Sequence, residues 1–325
     1  MKVTILGAGN WGTTLAILLA KKASVTLWTI EKIDGRENKK YLPGYEIPAN
    51  ILITESLPVA IEGAGLIIFA IPSQVMREVA KQISAYGHKT AILLSVSKGI
   101  ENKTLKIMSE LLEEEIKCSY SHICALSGPT IAREVIRGLP TSCVAASSNE
   151  GTAKIVQKLF NSTRFRVYTS TDIIGVELGG AIKNVISLAS GICDGLGLGA
   201  NAKGSLLTRG IREITRLGVA MGANASTFAG LSGIGDLITT SFSEHSRNRW
   251  VGEQIGKGKS LKEVLSQMVE VAEGVSTTLS VIELSGRFSV PMPITQEVYE
   301  ILYNGKTPLS GMQDLMTREP KSEHI

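Results

Sequence analysis

The chain has 325 residues, 43% apolar and 20% charged, with a formal net charge of +4, a composition ordinary for a globular protein of about two domains. Residues 1–170 carry 20 Lys+Arg against 14 Asp+Glu and residues 171–325 carry 14 against 16. So small and dispersed an excess argues against a nucleic-acid partner and fits an anionic small ligand met by a few cations. No apolar run reaches the length of a membrane span, and the opening residues do not resemble a signal peptide. Cys118, Cys124, Cys143 and Cys193 show no paired spacing, and His88, His122, His245 and His324 form no metal pattern. The expectation is a cytoplasmic protein with reduced thiols, no metal site and no membrane span.

Residues 3–6 read as a short apolar strand, followed by Gly7-Ala8-Gly9-Asn10-Trp11-Gly12 and a helical segment at 11–22. G-x-G-x-x-G is weak as a bare pattern; between a strand and a helix it signals dinucleotide binding. Gly7 suits the tight turn, Gly9 lets the backbone approach a pyrophosphate, and Gly12 lets helix pack on strand. The diphosphate belongs at the helix N-terminus, where free N–H groups and the dipole favour negative charge.

The next strand, 24–28, ends at Trp28. Glu31, nineteen residues after Gly12, stands where an acid binds the ribose 2′-hydroxyl of NAD, or is a solvated loop charge. Lys32 and Arg36 are the cations that would meet the 2′-phosphate of NADP instead. The cofactor is NAD or NADP, with a lean toward NAD.

Further strands are expected at 66–71, 90–95, 123–126 and 165–168, with a helix at 74–84. This alternation predicts a parallel sheet with helices on both faces. Lys98, in Ser95-Val96-Ser97-Lys98-Gly99, and the run Ser127-Gly128-Pro129-Thr130 both follow strands, at the ends where α/β sheets bind ligands. From about residue 171 strand signals fade and helical segments follow at 175–192, 202–221, 247–257, 260–269, 274–286 and 294–303. The tail from Gly311 is polar and is expected to fray.

Within the first of these segments Lys183 lies among apolar and small residues, with Val176, Gly180, Ser187 and Gly191 near one helical face. A desolvated ammonium loses stability relative to the amine, so its pKa falls and it becomes a candidate proton donor and acceptor. The alternative is a lysine snorkelling to the surface. Farther on, a glycine turn, Asp236 and the hydroxyl of Thr240 precede Ser246-Arg247-Asn248-Arg249. Acid, hydroxyls and a guanidinium suit a small phosphorylated polyol, since arginine meets phosphate bidentately. Each taken alone is also a plausible loop, cap or surface salt bridge.

Taken together these segments, with Tyr41-Leu42-Pro43-Gly44 and Pro291-Met292-Pro293-Ile294, resemble the NAD(P)-dependent glycerol-3-phosphate dehydrogenase family over nearly the whole chain. The resemblance implies a Rossmann-type doubly wound α/β domain at 1–170 and a mostly α-helical substrate-binding domain at 171–325. It implies reversible hydride transfer between sn-glycerol 3-phosphate and NAD(P), giving dihydroxyacetone phosphate and supplying glycerol 3-phosphate for phospholipid synthesis, and a homodimer. Lys183 is then the proton acceptor, Lys98 lies between substrate and cofactor, and Asp236 orients Lys183 or binds a substrate hydroxyl. Gly128, Thr130, Ser246, Arg247 and Asn248 match substrate positions beside Lys98, Lys183, Asp236 and Thr240. Asn10, Trp11, Lys98, Ala132, Arg247, Val271 and Glu273 match cofactor positions beside Gly7, Gly9 and Gly12. Between Trp28 and Tyr41 the chain is shorter than its relatives, in the segment bordering the adenosine ribose. The rivals are a β-hydroxyacid dehydrogenase, which needs a carboxylate clamp, and a dinucleotide-sensing protein, which leaves Lys183, Asp236 and Arg247 without joint purpose.

Overall fold

The computed structural model describes residues 1–86, 90–320 and 322–323. His88 and His324, and the tail residues Lys321 and Ile325, lie outside the described residues. The first half alternates as expected: β1 (Lys2–Leu6), α1 (Asn10–Leu19), β2 (Ser24–Trp28), β3 (Ile51–Thr54), α2 (Leu57–Ile61), β4 (Leu66–Phe69), α3 (Met76–Ser84) and β5 (Ile92–Ser95). Then come α4 (Met108–Ile116), β6 (Ile123–Ser127), α5 (Ala132–Ile136), β7 (Thr141–Ala146), α6 (Glu150–Phe160) and β8 (Phe165–Ser170). The eight strands form one sheet in the order β3-β2-β1-β4-β5-β6-β7-β8. The order reverses between β1 and β4, which pair in parallel from Val3↔Leu66 to Leu6↔Phe69. This is the Rossmann-type doubly wound arrangement, and such a switch point opens a crevice at the strands' C-terminal ends. β4, Leu-Ile-Ile-Phe, is buried along its whole length, as a central parallel strand covered on both faces must be. α3 buries Met76, Val79, Ala80 and Ile83, the i, i+3, i+4, i+7 stripe of a helix lying on a sheet.

The sheet is not wholly parallel: β7 runs antiparallel to β6. Neither β7 nor β3 was expected from the sequence. Thr-Ser-Cys-Val-Ala-Ala is rich in small residues with weak strand preference, and a four-residue edge strand offers too short a pattern.

From Ile173 the chain is helical: α7 (Ile173–Gly195), α8 (Gly199–Ala220), α9 (Ala225–Phe228), α10 (Asp236–Phe242), α11 (Arg247–Gly256), α12 (Leu261–Ser266), α13 (Glu273–Arg287), α14 (Pro293–Tyr303) and α15 (Pro308–Met316). α15 corrects the expectation of a frayed tail from Gly311: Thr307 caps it by accepting from the Ser310 N–H, Pro308 stands at its start, and Gly311 is buried. α7 starts at Asp172, whose Oδ1 accepts from the Gly175 N–H at 2.9 Å and whose Oδ2 holds the Asn224 N–H at 2.9 Å. By length and composition α7 could cross a membrane, with mean hydropathy 1.3, yet 94% of that apolar window is buried inside the fold. The expectation that no apolar run reaches span length is corrected here: α7 reaches it, interrupted by Glu177 and Lys183 and packed inside the fold.

α7 is the axis on which the helical half assembles. Its Gly191 and Gly195 face Gly252 and Gly256 of α11. A Cβ at Gly191 would stand 1.9 Å from the Arg249 carbonyl oxygen, and one at Gly252 would stand 2.0 Å from that of Leu188. Only glycine permits backbones so close. This contact fixes the start of α11 beside the middle of α7, where Lys183 lies.

Candidate active site

The site is a cavity of about 970 Å³ between the C-terminal ends of the strands and the helical half, lined from one side by Gly7, Gly9, Asn10 and Trp11 and from the other by Lys183, Asp236 and Arg247. The glycine turn has the anticipated division of labour. Gly7 adopts φ +104, and a Cβ there would lie 2.5 Å from the Ala70 carbonyl oxygen. A Cβ at Gly12 would lie 1.9 Å from the Gly7 oxygen, whereas Gly9 faces open space. Gly9 starts α1 without a side-chain cap, so the first amides of α1 have no intrahelical partner. Asn10 Oδ1 is buried here without a hydrogen-bond partner. Open backbone, an uncapped helix start and an orphaned polar atom at one spot fit a dinucleotide phosphate. Asn38, 4% exposed, stiffens the turn from behind, donating to the Ala8 carbonyl at 2.6 Å and to Thr13 Oγ1 at 2.8 Å.

The charged centre lies where sheet and helices meet. Lys183, 5% exposed, and Asp236, 2% exposed, form an ion pair with Nζ 3.0 Å from Oδ1. Lys183 also donates to Thr240 Oγ1 at 2.5 Å, and Thr240 donates to Asp236 Oδ1 at 3.1 Å. The other carboxylate oxygen, Oδ2, accepts from Lys98 Nζ at 2.6 Å. Lys98 is held by the Gly128 carbonyl at 2.9 Å, with Thr130 Oγ1 at 3.5 Å. Two lysines therefore share one carboxylate. Burial pulls the Lys183 pKa down to about 8; Asp236 opposes this, and the positive charges of Lys98 and Arg247 reinforce it. Burial pushes the Asp236 carboxyl upward, but Lys183 and Lys98 outweigh it and hold the pKa below its usual value.

The remaining expected residues divide. Ser246 caps α11 by accepting from the Arg249 N–H at 3.2 Å. Arg247 lines the cavity, donates to the Val271 carbonyl at 2.8 Å and lies 3.2 Å from Glu270. Asn248 lines it too, but its amide is engaged internally, donating to Asn184 Oδ1 at 2.9 Å and accepting from the Gly274 N–H at 2.9 Å. Ala132, Thr130 and Val271 are on the cavity wall. Gly128 stands behind it, at φ +140 with a Cβ position 2.9 Å from Cys143 Cα, and contributes the carbonyl that holds Lys98. Glu273 is on the wall with its carboxylate turned to Ser73, accepting from the N–H at 2.9 Å and from Oγ at 2.5 Å.

Sequence reasoning missed Asn184, which ties the site together: its Nδ2 donates to the Lys98 carbonyl at 3.1 Å while its Oδ1 holds Asn248. It also missed Ala70, Ile71 and Pro72 on the cavity wall, although their place just past an apolar strand was a usable signal.

Comparison with known proteins places this geometry in a family. Residues 2–153 match the family model described as NAD-dependent glycerol-3-phosphate dehydrogenase N-terminus, and residues 172–313 match its C-terminus counterpart. The chain is 50% identical over 331 residues, 99% of each chain, to glycerol-3-phosphate dehydrogenase [NAD(P)+] of Chlorobium phaeobacteroides strain BS1. It is 47% identical to the enzyme of that name from Geobacter sp. strain M21, over 100% of this chain and 99% of the other. The crystal structure of glycerol-3-phosphate dehydrogenase from Coxiella burnetii superposes with a TM-score of 0.94 at 35% identity, covering 98% of this chain and 99% of that one. On these matches, which span both halves and the whole cavity between them, the chain belongs to the NAD-dependent glycerol-3-phosphate dehydrogenase family.

Proposed function

We propose that Lys183 is the acid–base group of this chain's reaction, positioned by Asp236 and Thr240 and discouraged from carrying its proton by Lys98. The chain is an NAD(P)-dependent oxidoreductase interconverting sn-glycerol 3-phosphate and dihydroxyacetone phosphate, a source of glycerol 3-phosphate for phospholipid synthesis. The observation that carries the assignment is the buried Lys183–Asp236 pair, with Lys98 on the second carboxylate oxygen, on the cavity wall beside the glycine turn. In the oxidative direction neutral Lys183 accepts the proton of the substrate hydroxyl; in the reductive direction its ammonium returns a proton to that oxygen. A pKa of about 8 leaves both forms accessible near neutrality, as general acid–base catalysis requires.

The glycine turn, the start of α1 and the wall residues Asn10, Trp11, Ala132, Val271 and Glu273 would hold NAD(P). The bound nicotinamide supplies the hydride acceptor or donor. The start of α11, with Ser246, Arg247 and the remaining Asn248 N–H, would receive the substrate phosphate, where unpaired helix amides and a guanidinium favour an anion. Thr130 and Lys98 would meet the rest of the substrate. We read residues 1–170 and 171–325 as two domains enclosing the site, and a cytoplasmic homodimer as the working form. Light scattering should then give about twice the chain mass of 34.7 kDa.

The test is NADH and NADPH consumption by the purified protein, with dihydroxyacetone phosphate set against a panel of carbonyl acids. Consumption with dihydroxyacetone phosphate is expected. Consumption with a carbonyl acid alone would overturn the assignment in favour of a β-hydroxyacid dehydrogenase.

A further inference from the structure

One end of the cavity is walled by Trp28, Thr29, Ile30, Glu31 and Tyr41, just past the C-terminal end of β2, where a doubly wound fold places the cofactor's adenosine ribose. The cations that the sequence offered for a 2′-phosphate are engaged elsewhere. Arg36 donates to the carbonyls of Ile47 and Ile51, each at 2.7 Å, and to that of Pro48. Lys32 is solvent-exposed and 3.4 Å from Asp34. Both line a separate hollow beside β3. In their place Lys40 reaches Glu31: its Nζ is 2.7 Å from both carboxylate oxygens, and the Tyr41 hydroxyl donates to Oε1 at 3.1 Å.

Resting on the dehydrogenase reading above, we propose that Glu31 and Lys40 together set the choice of cofactor. Glu31 selects the free ribose 2′-hydroxyl of NAD, and Lys40 is a latent 2′-phosphate site that becomes available when Glu31 loses its charge. A carboxylate offers about four lone-pair sites. Lys40 and Tyr41 occupy three by the distances above, leaving one for a donating hydroxyl. A 2′-phosphate has no proton to give that site at neutral pH and brings a second negative charge beside Glu31. Lys40, the cation in contact with Glu31, is already spent on it. Glu31→Gln keeps the shape, removes the repulsion and frees the ammonium in one step.

Trp11 and Trp28 are on the cavity wall, so quenching of intrinsic fluorescence reads binding without turnover. Dissociation constants for NADH and NADPH would be measured on the wild type, Glu31→Gln, Lys40→Met and the double variant. The wild type should bind NADH at least about tenfold tighter than NADPH, the scale of one hydrogen bond to a charged group. Glu31→Gln should tighten NADPH by at least about tenfold and weaken NADH modestly, again the scale of one charged contact. Lys40→Met alone should weaken NADPH more than NADH, and in the double variant most of the NADPH gain should vanish. Equal wild-type binding of both nucleotides, an unmoved ratio in Glu31→Gln, or a double variant as good as the single would overturn the proposal while leaving the dehydrogenase reading intact. Failure to bind either nucleotide would overturn both.

Discussion

Lys183 Nζ lies 3.0 Å from Asp236 Oδ1, on a carboxylate whose second oxygen is taken by Lys98 at 2.6 Å. That geometry makes the proton affinity of Lys183 a balance. Asp236 favours the ammonium, while burial and the neighbouring positive charges favour the amine.

A pH dependence follows. The Lys183 pKa is lowered in the folded protein to about 8, so the amine needed for oxidation accumulates above that pH and the ammonium needed for reduction persists below it. For glycerol 3-phosphate oxidation, kcat/KM should rise through pH about 8; for dihydroxyacetone phosphate reduction it should fall across the same range. In Lys98→Met the repulsion is gone and Asp236 acts on Lys183 alone, so the limb should move to higher pH even though overall activity drops. A limb that stays put would separate Lys98 from the titration.

Arg247 sits half-exposed at the start of α11, with one nitrogen on the Val271 carbonyl. Arg247→Lys keeps the charge but loses the planar fork, so it is not conservative at a phosphate site. The KM for dihydroxyacetone phosphate should rise by about tenfold, the worth of one charge-assisted hydrogen bond. The residual rate with unphosphorylated dihydroxyacetone should change far less. Equal losses with both substrates would move Arg247 to the cofactor.

The close contact between α7 and α11 is testable through Gly252. A glycine-to-alanine change inside a helix ordinarily gains up to about 1 kcal/mol. Here the new methyl would stand 2.0 Å from the Leu188 carbonyl oxygen, so Gly252→Ala should instead destabilise by about 1–3 kcal/mol, as overpacking does. Thermal melting reads the sign. The same change at Gly204, which has open space around it, is the control and should be neutral or stabilising.

Much of the fold was legible because its signals are periodic. β4 announced itself as an unbroken apolar run and α7 as a long apolar helix, and the glycine turn had a strand before it and a helix after it. β7 was not legible: its small residues are chosen to fit neighbouring strands, which only tertiary context reveals. At the site, Lys183 could be read from its apolar surroundings and Asp236 from its motif, each being a charge in an unusual place. Asn184 could not, because an amide relay joining Lys98, α7 and α11 depends on three chain segments meeting. Likewise Lys40 looked like any loop lysine, and Arg36 looked free until its three carbonyl partners were seen.

The account turns on Lys183, and Lys183→Met tests it most directly, since methionine keeps the length and packing while removing the titrating amine. Turnover of dihydroxyacetone phosphate with NADH or NADPH should fall by at least about a hundredfold, the typical worth of general acid–base catalysis, while the protein stays folded and still quenches on binding the nucleotide. A folded Lys183→Met protein with near-wild-type turnover would contradict the account and remove Lys183 from the chemistry.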